Sequence, residues 1–485
     1  MERVGDGPVL PDGVAVVVKR DCPTCRMIEP VLAQLDTASD VTLTVFTQDD
    51  PTFPTGVGKV VHDDDLAVSY HHRIETVPTV MRLEDGIERE RTVGWSRDQW
   101  EALSGARGLG PELVDMRPGC GSLSVDPTMA DRLRVRFEAG RLRARRVQLA
   151  ELEDGAEAMF DRGWSDGLPV VPPTEARVLR MLGGTDRAPD DVVAVVPPDL
   201  VECTVEKVAI NAVLAGCKPE YLPVVLAAVE AACTDTFNTH GLLATTMPVG
   251  PVMIINGPIR HHIGMNDGVN VLGQGNRANS TIGRALQLVI RNVGGGRPGG
   301  VDRATQGNPG KLSFCFPENE ERSPWEPLHV ERGFAPTSST VTLFPGEGPR
   351  GVVDQLSRDP ESLARSLASC LRTVQHPKLP LAFDCILVVS PEHGRVFAEA
   401  GWTKAQLRER LHELTLLEGK DIVRGADGIT EGVPEWAKDA QLPKFRPDGI
   451  LIVHAGGGAG LFSTIIAGWV NGDTGSQPVT KEIGS

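Results

Sequence analysis

Short blocks of apolar β-formers, separated by stretches with helical spacing, run along the whole chain. Val14 to Val18 is an unbroken apolar run that hands over at Cys22 to a pattern with Met27, Ile28, Val31 and Leu32 on one side, the spacing of a helix face. Val41 to Phe46 reads as a second strand, Asp64 to His72 as a helix, and Thr76 to Met81 as a third strand carrying Pro78. Gly86 turns the chain into Ile87 to Val93, and Ser96 caps a helix through Leu103. From residue 180 the alternation resumes. Val192 to Val196, Val252 to Asn256, Val341 to Phe344, Cys385 to Val389 and Ile450 to Val453 read as strands. Val205 to Leu214, Leu222 to Cys233, Ile282 to Asn292, Pro360 to Val374 and Lys404 to Leu416 read as helices. This order predicts the α/β class, with a larger three-layer α/β domain after the first unit. Gly108-Leu-Gly-Pro111 is rich in breakers and predicts the boundary, with one domain over residues 1–108 and a second over residues 109–485 that carries Cys120.

Charge narrows the function classes. A formal net charge of -16 argues against binding a nucleic-acid backbone, and the Arg-rich stretch from Arg132 to Arg146 reads as the solvated face of a connecting segment. No run approaches the ~20 apolar residues of a membrane helix, and the first residues lack a signal-peptide core, so a cytoplasmic location without membrane contact is expected. Nine cysteines, an odd number, do not form a disulfide framework in that compartment. Cys233, Cys370 and Cys385 lie in apolar runs and read as buried small hydrophobes.

Cys22-Pro-Thr-Cys25 closes a strand and opens a helix. In that context a Cys-x-x-Cys reads as a dithiol/disulfide couple, with free amides of the first turn favouring a thiolate at Cys22 and Cys25 one turn in as the resolving thiol. A zinc site is the alternative, but neither a second Cys pair nor a His pair stands at the usual distance. The order of elements around the pair resembles the thioredoxin fold over roughly residues 10–105, with Val77-Pro78 matching its cis-proline loop, which in that family sets a backbone edge beside the reactive sulfur. Asp21 stands where the family usually has Trp, and Pro-Thr replaces Gly-Pro. An adjacent carboxylate is expected to raise the pKa of Cys22, partly offset by Lys19, Arg20 and Arg26.

Arg117-Pro-Gly-Cys120-Gly-Ser122 brackets a cysteine with glycines in a turn-forming stretch, which predicts an accessible sulfur with Arg117 as a nearby charge. Cys120-Gly-Ser-Leu123, with the stretches Arg162 to Thr174 and Ala215 to Tyr221, is similar to the UGSC family of (seleno)proteins over roughly residues 110–485. The resemblance implies a redox-type site at Cys120 with Ser122 in its motif. Leu123 replaces that motif's second cysteine, so the Cys22/Cys25 pair is the resolving partner at hand.

Three loops carry the other candidate chemistry. Asn266 to Asn279 is rich in Gly and Asn and runs into a helix, so Asn276, Arg277 and Asn279 are expected to bind an anionic part of a substrate. His454 to Gly460 follows a strand and precedes Leu461 to Val470, a strand, Gly loop and helix pattern without dinucleotide or triphosphate spacing. The segment from Glu318 to Arg332 offers Glu318, Glu320 or His329 as acid or base and Trp325 as a pocket wall, against the alternative of a surface loop with local ion pairs. His240, His261 and His262 lack metal-ligand spacing. The function expected is a thiol-dependent oxidoreductase of specialised metabolism, in which Cys120 acts on a small molecule and the Cys22/Cys25 dithiol regenerates it. It needs no cofactor beyond an external reductant, supplied by a disulfide reductase. A C–S bond-forming or -cleaving enzyme and a redox sensor or metabolite-binding protein without turnover are the alternatives.

Overall fold

A computed structural model describes residues 7–422, 435–470 and 475–484. The class is α/β. Contacts divide the chain into two compact units, Met1–Gly140 and Arg141–Ser485, so Cys120 belongs with the first unit and the division does not fall at residues 108/109. The reason lies in Arg97. Its guanidinium donates to the carbonyls of Leu109, Gly110 and Leu113 and pairs with Asp115, and Gly110 N donates to Gln34. The breaker-rich stretch is thereby fastened to the first unit.

In the first unit the strands are β1 (Gly13–Val18), β2 (Leu43–Thr47), β3 (Val60–His62), β4 (Thr76–Val77), β5 (Thr79–Glu84), β6 (Ile87–Val93), β7 (Trp95–Ser96), β8 (Met116–Arg117) and β9 (Cys120–Gly121). Five of them make a sheet in the order β3-β2-β1-β5-β6, parallel from β3 to β1 and antiparallel beyond. Val14 to Val18 are all buried because β1 is central and covered on both faces. The expected helix after Cys22 comes in two pieces, Pro23–Met27 and Glu29–Thr37. Pro30 has no N–H to continue the ladder, so the chain breaks at Ile28 and restarts with Val31, Leu32 and Leu35 facing the core.

The first strands of the second unit, after the helices Gly155–Asp161 and Glu175–Leu182, are the hairpin β10 (Val192–Val196) and β11 (Val201–Thr204). The main sheet contains β12 (Gly250–Asn256), β13 (Cys315–Pro317), β14 (Thr340–Gly346), β15 (Arg350–Val353) and β16 (Phe383–Val389). After the short pair β17 (Leu417–Glu418) and β18 (Gln441–Leu442), it is completed by β19 (Ile450–His454), β20 (Phe462–Val470) and β21 (Val479–Glu482). The order β13-β12-β14-β20-β16-β19 is mixed, with β15 on β20 and β21 on β14.

Alternate residues of the strands serve different cores, as a period of two dictates. Cys385, Leu387, Ile450, Ile452, Ile465 and Ala467 pack with the helices Pro360–Leu371 and Lys404–Leu414, while Val252, Ile254, Phe344, Ile386, Val388, Val453 and Ile466 form one inner cluster. The sheet curls around that inner cluster, because Asn319 N donates to His454 O at 2.8 Å and so brings the carboxyl ends of the two outermost strands, β13 and β19, together. Leu461 to Val470 is a strand from Phe462 and not the expected helix. It is rich in β-branched and aromatic residues, Phe462, Thr464, Ile465, Ile466, Trp469 and Val470, and it pairs with both β15 and β16. The Gly-rich loop before it therefore precedes no helix N-terminus. Among the described residues no helix is long and apolar enough to cross a membrane.

Candidate active site

Cys22 is the N-cap residue of the helix Pro23–Met27, and its sulfur accepts the Cys25 amide at 3.3 Å. Both cysteines are fully buried. Val77-Pro78 is a cis peptide, and the Val77 carbonyl lies 3.5 Å from the Cys22 sulfur. The edge of β4 beside that carbonyl is taken by the chain itself. Val77 pairs with Cys120 and Thr76 with Gly121, antiparallel. The half-buried Cys120 thus stands against the buried couple, and its thiol donates to the Cys22 sulfur.

Three sulfurs within hydrogen-bonding reach must share their protons unequally. The Cys25 thiol donates to Cys22, and together with the Cys120 thiol and the amides of Cys25 and Thr24 it overcomes the effect of burial and lowers the Cys22 pKa to about 5. Burial, and donation to Cys22, hold Cys25 far above the ordinary thiol range. The same two causes raise Cys120, with the Thr24 amide and Lys19 acting the other way. Cys22 is the thiolate of the three. The expected upward shift from Asp21 is therefore overturned: the Asp21 residue is exposed to solvent, while the sulfur is surrounded by donors.

Arg117 does not supply the charge expected at Cys120. Its Nη1 lies 3.6 Å from the Met27 sulfur, and Lys19 is the cation felt at Cys120. Ser122 is buried and accepts from Gln48 Nε2 at 2.6 Å, which anchors the strand that bears Cys120. Gln48 and Thr24 were missed in the sequence, and Lys19 was expected to act on Cys22 and not on Cys120. Of the two missed, only Thr24 is signalled, by its position within the cysteine pair.

In the second unit, the residues proposed as acid or base meet at the carboxyl ends of β12, β13 and β19. The buried Glu318 accepts from Asn256 Nδ2 at 2.7 Å and from Leu328 N at 2.8 Å, and burial raises its pKa. Glu320 accepts from Gly257 N and pairs with the buried Arg260 at 3.0 Å. His329 is fully buried, and neither ring nitrogen has a hydrogen-bond partner; Glu320 lies 4.0 Å from Nδ1. His454 faces the Asn319 carbonyl with Nδ1, and burial lowers its pKa. Trp325 is a core residue and not a pocket wall, since its ring packs near Phe397 and its indole N–H donates to Trp402 O.

The loop expected to hold an anion spends its polar groups on itself. Asn276 caps the helix Arg277–Asn292 and donates to Gly264 O, the buried Asn279 staples Asn266, and Arg277 Nε donates to Gly216 O. Among the described residues, no group of three or more His, Cys, Asp or Glu side chains is placed to hold a metal ion. A cavity of about 870 Å³ is lined by Arg145, Val147, Trp164, Pro173, Ile210 and Asn292. Trp164 and Pro173 belong to the stretch Arg162 to Thr174, and Asp166 within it is held by both Nε and Nη2 of Arg284 at 2.7 Å. Sequence reasoning gave no reason to join residues 145–148 to that stretch.

The chain matches no family model, no curated protein and no solved structure.

The other cysteines give a first test. Cys385 is buried, as its apolar run implies, while Cys233 and Cys370 are half-buried. Burial pushes Cys203, Cys217 and Cys233 up to about 12, so native protein at pH 8 is expected to leave these three unlabelled by a small alkylating reagent. Denaturant should release all of them. Native labelling of Cys217 would show an opening absent from this structure.

Proposed function

We propose that the protein is a thiol-dependent oxidoreductase in which Cys120 meets a small-molecule substrate and the Cys22/Cys25 couple restores it. The pairing of Cys120 with Val77, which sets its thiol on the Cys22 sulfur, carries this reading. The substrate is a two-electron acceptor with a cleavable bond X–Y. The Cys120 sulfur, after losing its proton, attacks X and releases Y with the bonding pair. Cys22 thiolate then attacks the Cys120 sulfur, X departs as an anion, and a Cys22–Cys120 disulfide forms. Cys25 gives up its proton and attacks Cys22, so that Cys120 leaves as thiolate and the couple closes as Cys22–Cys25. An external dithiol, the product of a disulfide reductase, returns two electrons. Resemblance to thioredoxin around Cys22 and to the UGSC family around Cys120 supports the same chemistry, and a reducing cytoplasm is the compartment that suits it.

Cys25→Ser tests the relay, because the second step then has no successor. After one equivalent of a small activated disulfide such as dithiodipyridine, non-reducing peptide mapping should recover Cys22 linked to Cys120 as the main product. Recovery of only pyridyl-capped Cys120, with no Cys22–Cys120 peptide, would defeat the proposal.

A further inference from the structure

A backbone edge beside a reactive sulfur is where an extended polypeptide can add as a strand. Here the strand is already present and is held along its length. Trp95 pairs with Arg117 and Ser96 with Met116, Thr24 Oγ1 donates to Pro118 O at 2.7 Å, and Val77 pairs with Cys120. Beyond it, Ser122 N donates to Glu75 O, and Gln48 and Ile74 hold the Ser122 and Ser124 hydroxyls. The fit leaves no slack. A Cβ on Gly119 would stand 2.6 Å from Val77 O, and one on Gly94 would stand 2.9 Å from Arg117 O. Cys22 and Cys25 are 0% exposed under this strand, while Cys120 reaches the surface.

We infer that Met116–Gly121 occupies, from within the chain, the groove in which the Cys22/Cys25 couple would otherwise take another protein's disulfide, so external thiols and disulfides reach the couple only through the sulfur of Cys120. The inference rests on the relay proposed above and adds its specificity. The couple is closed to general protein disulfides and serves only chemistry that arrives at Cys120. Reduction follows the same port. In the oxidised chain, Cys120 thiolate attacks Cys22 and expels Cys25, which takes up a proton. An external thiolate then attacks the sulfur of the half-buried Cys120 and releases Cys22 thiolate, and the second thiol of the same reductant frees Cys120 and leaves as the cyclic disulfide.

The test uses the full-length oxidised protein and dithiothreitol. Cys120→Ser should slow reduction of the Cys22–Cys25 disulfide by roughly tenfold or more, since the one cysteine of the three at the site that is not fully buried is gone. Adding Gly119→Val, whose side chain would clash with Thr76 and Val77 and push the strand off β4, should restore the rate. Reduction of Cys120→Ser at the wild-type rate would overturn the inference, and so would a double variant no faster than the single one. Should the double variant fail to fold, the wild type decides. With reduced protein at pH 8, iodoacetamide should modify Cys120 before Cys22, although ionisation alone favours Cys22. Modification of Cys22 first would mean an open groove. The relay is judged separately by the Cys25→Ser linkage: a linkage together with an unslowed Cys120→Ser removes this inference alone, and absence of the linkage removes both.

Discussion

Cys22→Ser is expected to abolish the release of X from Cys120, by about three orders of magnitude or more, because Cys22 is the thiolate that attacks the Cys120 sulfur. Burial still displaces Cys25 upward, and in the relay it attacks only Cys22, so it cannot stand in for the missing thiolate. The wild-type pH profile carries the same signature. With Cys22 held at about 5, the rate at which Cys22 displaces X from a Cys120 that already carries it should be flat from pH 8 down to about 6 and fall roughly tenfold per unit below pH 5. Cys25→Ala, which removes the strongest of the donors to Cys22, should move that fall to higher pH. Stability follows with a definite sign. Cys22 ionises at lower pH when folded than when unfolded, so its thiolate favours the fold fully above the ordinary thiol range, and that contribution is lost as pH falls toward about 5. The difference in urea midpoint between reduced wild type and Cys22→Ser should therefore shrink from pH 9 to pH 5. A rate that keeps climbing through pH 8 would show Cys22 to be an ordinary thiol and would remove the premise of the relay.

What could be read in the sequence depended on whether neighbours in the chain are also neighbours in space. Strand β1 and the Cys22 helix start were legible because an apolar run followed by Cys-Pro carries its own local signal. So was β16, where seven consecutive buried residues leave no helical alternative. The segment Phe462–Val470 misled because Gly-rich loops precede strands as readily as helices, and only its pairing with β15 and β16 decides. At the site, Asp21 was the closest charge in the sequence to Cys22, yet the pKa is set by Cys25 and by Cys120, which is 98 positions away from Cys22. Donation by a distant thiol leaves no trace in local spacing. Arg277 and Trp325 failed for a related reason. Arg277 Nε goes to Gly216 O and the Trp325 indole to Trp402 O, partners supplied by the tertiary fold. Glu318, Glu320 and His329 do come together, but what gathers them is Asn256 and Arg260 from another strand end and loop.

Arg260→Ala is expected to be the most damaging single change in the second unit, costing about 3–5 kcal/mol, because it leaves Glu320 as a carboxylate in a largely buried site without its partner. Arg260 is only 3% exposed and each of its nitrogens is used: Nε on Gly257 O, Nη1 on Glu318 O at 2.8 Å, and Nη2 on Glu320 and Glu321. Its planar fork ties the end of β12 to the segment after β13, and Asn319 N on His454 O adds the end of β19. Loss of the fork should therefore loosen all three strand ends at once. Arg260→Lys keeps the charge but cannot reach four acceptors, and an intermediate loss is expected. His261→Ala is the control. It removes an exposed partner of Glu321, and an exposed pair contributes at most about 1 kcal/mol. The urea dependence of Cys217 alkylation reads the transition of this unit, since that thiol is buried within it. If Arg260→Ala shifts the midpoint no more than His261→Ala does, the buried guanidinium does not hold these loops, and the meeting of Glu318, Glu320 and His329 must be sustained by Asn256 and the Leu328 amide alone.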